Sequence, residues 1–139
     1  MVWDALVEDT SLLEKADVVI ADLPCSGIGV IGRKPDIKYK LKAEQIEELA
    51  ALQREILSVV IKYLKPGGVL IYSTCTIDRR ENQDNRNWLL DNFGLEADSL
   101  NSYLPEELIC DTTEKGYLQL LPGVHKTDGF FVSRFILRK

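Results

Sequence analysis

Two thiols and a carboxylate carry the chemical interest of this chain. Asp22 and Cys25 sit in Asp22-Leu23-Pro24-Cys25-Ser26-Gly27, and Cys75 sits in Ser73-Thr74-Cys75-Thr76. Cysteine is nucleophilic as its thiolate, and at an ordinary pKa near 8.5 only about 3% is ionised at neutral pH. Such a group needs activation. Hydroxyls flank Cys75, and Asp78-Arg79-Arg80-Glu81 follows it, reading as an Asp-led capping box that starts a helix running to about Asn92. A helix amino end placed there would stabilise a thiolate. The other reading of each thiol is a buried structural cysteine. His125, the only histidine, lies in a Gly-bounded loop with Asp128 and reads as a base, a phosphate contact or a structural group. A zinc site built from Cys25, Cys75, Cys110 and His125 would lack close-spaced ligand pairs, so no metal is expected.

Secondary structure must bring these groups together. Asp17 opens the apolar run Val18-Val19-Ile20-Ala21, short and branched as in a strand buried on both faces of a parallel sheet. Pro24 and Gly27 end it, which leaves Asp22 and Cys25 at its carboxyl end, the edge where open α/β sheets bind ligands. From Ala43 to Leu64, Ile46, Leu49, Ala50, Leu57, Val60, Ile61 and Leu64 recur at three and four, the pattern of an amphipathic helix. Lys65-Pro66-Gly67-Gly68 terminates that helix, and Val69 to Cys75 forms a second buried strand. Strand, helix and strand make a βαβ unit with a right-handed crossover, so Asp22, Cys25 and Cys75 should share one sheet edge. Met1 to Ala5 reads as the tail of a preceding strand with Asp4 at its end, and residues 6–16 as an irregular connection. Residues 95–110 should hold a weak edge strand and a helical turn around Pro105. Gly116–Leu121 and Phe130–Leu137 should pair as a closing antiparallel hairpin.

The 139 residues suffice for one domain with a core, and 45% hydrophobic with 28% charged content is that of a globular protein. No apolar run approaches the roughly 20 residues of a membrane span, and no signal peptide leads the chain. Three cysteines without a CxxC pair read as reduced thiols of a cytoplasmic protein. The net charge of -5 argues against a dedicated nucleic-acid binder. Yet Arg33, Lys34, Lys38, Lys40 and Lys42 face a single acid, Asp36, just after the Cys25 element. That segment is either a solvated helix leader or a phosphate contact beside an active site.

Asp22–Gly27, Ser73–Thr76 and Leu121–Phe131 (LPGVHKTDGFF) resemble the RNA cytosine-5 methyltransferases, most closely the Sun/Fmu type that modifies small-subunit ribosomal RNA. Lys65-Pro66-Gly67-Gly68 is similar to the turn before the fifth strand of many S-adenosylmethionine-dependent enzymes. The resemblance spans nearly the whole chain. It implies a Rossmann-like class I methyltransferase fold of the α/β class, with a mostly parallel sheet and an antiparallel carboxyl-terminal hairpin. It implies S-adenosylmethionine as cofactor and RNA as partner, with the target base unstacked to enter the pocket. By the same resemblance Cys75 is the nucleophile that adds to cytosine carbon-6. Cys25 assists release of the methylated product, Asp22 hydrogen-bonds the ring edge and lies against the cofactor, and Asp4 contacts the cofactor's adenine. Pro24 shapes the pocket and Arg33 and Lys38 contact substrate RNA, while His125 lies in a loop that the resemblance marks as important, its expected role structural or substrate-RNA positioning.

Two departures stand out. Thr76 replaces the serine of the usual STCS, and no Gly-rich cofactor turn or acid-ended second strand precedes Asp4. The expectation is therefore the carboxyl-terminal portion of a methyltransferase catalytic domain over residues 1–139, without the first two strands and the Gly-rich loop. A missing amino-terminal region would then be a further partner. The competing expectation is a folded module inert alone, self-associating through an exposed sheet edge. An amino-group methyltransferase would favour an aromatic residue after Pro24 in place of Cys25.

Overall fold

A computed structural model describes residues 2–34, 36 and 42–139. Five strands form one sheet: β1 (Ala16–Asp22), β2 (Leu64–Thr74), β3 (Leu95–Ala97), β4 (Tyr117–Leu120) and β5 (Phe130–Leu137). The order is β1-β2-β5-β3, with β4 pairing alongside β3 on the same edge of β5. Helix α1 (Ala43–Val60) connects β1 to β2, which pair in parallel as the βαβ reading requires. Helices α2 (Gln83–Asn92) and α3 (Asp111–Glu114) complete the described elements together with several short 3-10 turns.

The core lies on one face of the sheet. Ile46, Ala50, Gln53, Ile56 and Leu57 form the buried stripe of α1, and Leu57 packs with Ala21, Leu70, Tyr72, Leu89, Phe131 and Phe135. Burial of this apolar surface is the main force holding α1 across β1 and β2. Alternation along the strands sends Val18 and Ile20 to the other face, where they are 54% and 72% exposed. β1 is thus covered on one face by the described residues, not on both.

Several local expectations are corrected. Val2 to Asp4 form no strand; Asp4 Oδ1 instead accepts from the Leu6 amide at 3.0 Å, closing a turn. Helix α1 ends at Val60 and passes through a 3-10 turn over Ile61–Tyr63, so Lys65–Gly68 lies within β2. There the register slips between Ala16↔Leu64 and Val18↔Val69, a bulge that Gly67 permits at φ 83°. Within this chain one strand pairing is parallel and three are antiparallel, because β5 inserts between β2 and the β3/β4 edge. Helix α2 begins at Gln83, not at Asp78. Asp78 Oδ1 accepts from the Arg80 amide at 2.9 Å in a local turn, and Glu81 does not return to the Asp78 amide. The expected edge strand, the turns near Pro105 and the closing hairpin are present.

Candidate active site

Three chain segments meet at the carboxyl edge of β1 and β2: residues 22–29, residues 75–82, and the loop leading into β5. The parallel pairing places Asp22 opposite Ser73, and Ser73 Oγ donates to Asp22 Oδ1 at 3.0 Å. Cys25 Sγ and Cys75 Sγ lie 3.0 Å apart. Residues fifty apart in sequence thereby become hydrogen-bonded neighbours at the predicted edge.

Backbone bonds fix the meeting point. The Gly29 amide donates to Cys75 O at 3.1 Å, and the Gly129 amide donates to Gly29 O at 2.8 Å. A side chain at Gly29 would collide with Gly129 O and Cys75 O, so glycine is what allows this approach. Arg33 Nε pairs with Asp128 Oδ2 at 3.0 Å and ties the segment after Cys25 to the loop before β5.

Burial pushes the Cys25 thiol up to about 12, reinforced by its hydrogen bond with Cys75. Cys25 therefore keeps its proton at neutral pH and is able to donate to the neighbouring sulfur when that sulfur is a thiolate. The helix-dipole activation expected for Cys75 is weakened, since α2 starts eight residues further on. The Arg80 guanidinium beside Asp78 holds that carboxyl below the usual carboxylate range.

The remaining candidates fall out as follows. Pro24 is exposed at the rim, and its carbonyl accepts from Gln53 Nε2 at 2.9 Å. His125 Nδ1 accepts from the Leu121 amide at 2.9 Å, so that nitrogen is committed to its own loop and only Nε2 remains for a partner. Asp4 is exposed in its turn, at the opposite end of the connection from β1. Lys38 lies outside the described residues, as does most of the Pro35–Lys38 stretch. Cys110 is exposed at the start of α3 beside Thr112, whose hydroxyl lowers its pKa. Among the described residues no group of three His, Cys, Asp or Glu side chains gathers to hold a metal ion, and no helix is long and apolar enough to cross a membrane.

Sequence reasoning missed a buried polar cluster behind the thiols: Ser26, Gln53, Thr76, Glu81, Asn82 and Asn85. Asn82 accepts from Thr74 Oγ1 at 2.5 Å and donates to Thr76 O at 2.9 Å, bracketing Cys75 on both sides. One signal was available, because Gln53 is a polar residue in the buried stripe of an amphipathic helix. Beside Thr76, a cavity of about 460 Å³ is lined by Ile77, Arg79, Arg86, Tyr117 and Leu121 among others. Arg86 stacks 4.5 Å from the Tyr117 ring, and its Nε is buried without a hydrogen-bond partner.

A family model described as 16S rRNA methyltransferase RsmB/F matches residues 2–136. The chain belongs to this family. Among curated relatives, ribosomal RNA small subunit methyltransferase F of Aeromonas salmonicida (strain A449) is 42% identical over 140 residues, and that of Cronobacter sakazakii is 39% identical over 139. Each alignment covers 99% of this chain but only 29% and 28% of the respective relative. Among solved structures, that of NSun6 from Pyrococcus horikoshii with SFG superposes with a TM-score of 0.74 at 27% identity. It covers 99% of this chain and 34% of that one. The methyltransferase neighbours agree with the Rossmann-like α/β class expected for the RsmB/F family.

Proposed function

We propose that this RsmB/F family chain takes part in S-adenosylmethionine-dependent methylation of cytosine carbon-5 in RNA, small-subunit ribosomal RNA in particular. The observation that supports it most directly is the 3.0 Å pairing of Cys25 and Cys75 at the sheet edge that also carries Asp22. Family membership and the relatives' names support RNA as the substrate, and the family together with the neighbouring structure with SFG supports the cofactor.

The described residues fit that cofactor in kind. Asp22 uses one oxygen toward Ser73 and is otherwise exposed at the ligand-binding edge, a suitable acceptor for a cationic group. Asp4 is a second exposed carboxylate, assigned to the adenine end. When bound, S-adenosylmethionine supplies an electrophilic methyl group.

Cys75 adds as thiolate to carbon-6, forming the S–C6 bond and making carbon-5 nucleophilic. Ring N3 takes up a proton from solvent as the adduct forms, Asp22 holds that proton by a hydrogen bond at the ring edge, and N3 returns it to solvent when the adduct collapses. After methylation, the carbon-5 proton passes to solvent, and its bonding pair restores the C5=C6 double bond and expels Cys75. Cys25, still protonated, donates a hydrogen bond to the departing sulfur and eases that release. Its raised proton affinity suits a donor in this step. Pro24 shapes the rim, Arg33, Lys38 and His125 engage RNA, and Arg79 and Arg86 offer guanidinium groups to a flanking phosphate.

The test is covalent trapping on RNA in the presence of cofactor. Cys25→Ala should accumulate a denaturant-resistant RNA complex, and Cys75→Ala should form none. A complex that persists in Cys75→Ala, or none in Cys25→Ala, would refute the role assignment. A second reading, a folded module that self-associates, draws support from the exposed Val18 and Ile20 on β1.

A further inference from the structure

Glu81 stands within six residues of Cys75, yet its side chain reaches across to the other cysteine's segment. It is fully buried. Oε1 accepts from the Ser26 amide at 2.8 Å and from Gln53 Nε2 at 3.1 Å, and Oε2 accepts from Ser26 Oγ at 2.6 Å. Three donors converge on one carboxylate, two of them from the residue next to Cys25. Gln53 adds a second tie, because the same Nε2 donates to Pro24 O on the other side of Cys25. Ser26 Oγ also meets Thr76 Oγ1 at 2.9 Å, next to Cys75. The Glu81 backbone is anchored in turn, its carbonyl accepting from Tyr72 OH and from Asn85 Nδ2 at 3.3 Å.

We propose that Glu81 is a positioning residue whose carboxylate clamps Pro24–Ser26 to the 75–82 turn and thereby sets the spacing of Cys25 and Cys75. The bonds immediately on either side of Cys25, from Gln53 Nε2 to Pro24 O and from the Ser26 amide to Glu81 Oε1, both run to the Gln53–Glu81 pair, which supplements the Leu23–Ser73 and Gly29–Cys75 backbone bonds further along the segment. The carboxylate's own partners are Ser26 and Gln53, not either sulfur. It acts through the backbone that carries Cys25, and the function proposed above makes that spacing matter for adduct release. This inference rests on that reading for its catalytic consequence but not for its geometry.

Two readouts separate these levels. The first needs no RNA. A two-electron azo oxidant of thiols joins neighbouring cysteines: one thiolate adds to the N=N bond, and the second displaces it, giving a disulfide and the hydrazine. The wild-type sulfurs need close by only about 1 Å to reach a disulfide length of about 2.05 Å. Glu81→Ala should slow formation of the Cys25–Cys75 disulfide by about tenfold or more, the scale at which small misplacements act. Glu81→Gln should restore it, since the Ser26 hydroxyl can rotate to accept from the new amide and donate to Thr76. Thr113→Val, which removes a buried hydroxyl bonded to Asn101 and Cys110, should leave the rate unchanged even if it lowers stability. If Glu81→Ala does not fold, Ser26→Ala should give a smaller slowing in the same direction.

The second readout is turnover on RNA. With the clamp broken, the covalent complex should still form but decay more slowly, so kcat falls while KM stays within about threefold. A folded Glu81→Ala chain that forms the disulfide at the wild-type rate overturns the clamp. A Thr113→Val chain slowed equally also overturns it, by showing that general destabilisation suffices. Wild-type protein that forms no RNA complex would instead overturn the proposed function, leaving the disulfide rates to decide the clamp.

Discussion

Replacing Gly29 by alanine tests the loop junction that brings the two thiols together. An ideal Cβ at this position would lie 2.3 Å from Gly129 O, 2.7 Å from Cys75 O and 2.7 Å from the Gly129 carbonyl carbon. These are far inside the roughly 3.5 Å at which non-bonded carbon reaches favourable separation. Relief by side-chain rotation is not available, because the three nearest obstructing atoms are all backbone. The same glycine donates to Cys75 O and accepts from the Gly129 amide, so moving either neighbour stretches a hydrogen bond. Overpacking costs about 1–3 kcal/mol and a lost hydrogen bond about 1 kcal/mol net, together about 2–4 kcal/mol. With an unfolding entropy of about 0.3 kcal/mol/K for a chain this long, Tm should fall by about 7–14 °C. Gly32 provides the control three residues along. Nothing lies within 4 Å of a Cβ there, so Gly32→Ala should change stability by no more than about 1 kcal/mol in either direction. Thermal and urea unfolding of the two variants and the wild type decide the matter. Equal midpoints for Gly29→Ala and Gly32→Ala would refute the close approach of the three segments.

Further outcomes follow from the same geometry. Cys25 has a folded pKa of about 12, well above the ordinary thiol range, so between that range and pH 12 the folded state holds a proton that the unfolded state loses. Its contribution to stability is complete below that range and is lost as pH rises toward 12, and Cys25→Ser should flatten this part of the Tm–pH curve. At pH 8, alkylation should modify the exposed, pKa-lowered Cys110 well before Cys25, as peptide mapping by mass would show. The Arg33–Asp128 pair is largely exposed on the arginine side, so Arg33→Gln should cost less than about 1 kcal/mol of stability. The same change should weaken single-stranded RNA binding and reduce its log–log salt slope by about 0.7, measured by fluorescence anisotropy. If Val18 and Ile20 drive self-association, Ile20→Glu should give a monomer by light scattering at concentrations where the wild type is larger.

The sequence by itself determined the βαβ unit, the closing hairpin and the edge at which both cysteines lie. These depend on the spacing of apolar residues along α1, on short branched runs, and on Pro24 and Gly27 ending β1, all of which are local signals. The positions of Asp22, Cys25 and Cys75 were legible for the same reason: a strand's end is written where its apolar run stops. Tertiary structure decided what each polar group does once there. Glu81 reads locally as a capping residue, but a buried Ser26 amide and Gln53 amide compete for it, and leaving those donors unpaired costs more than leaving a solvated helix end uncapped. His125 similarly turns Nδ1 to its own loop. The raised proton affinity of Cys25 was also beyond the sequence, because it depends on how deeply Cys25 is buried and on a sulfur fifty residues away. Position along an element is set by neighbours in the chain, whereas partnership and proton affinity are set by neighbours in space.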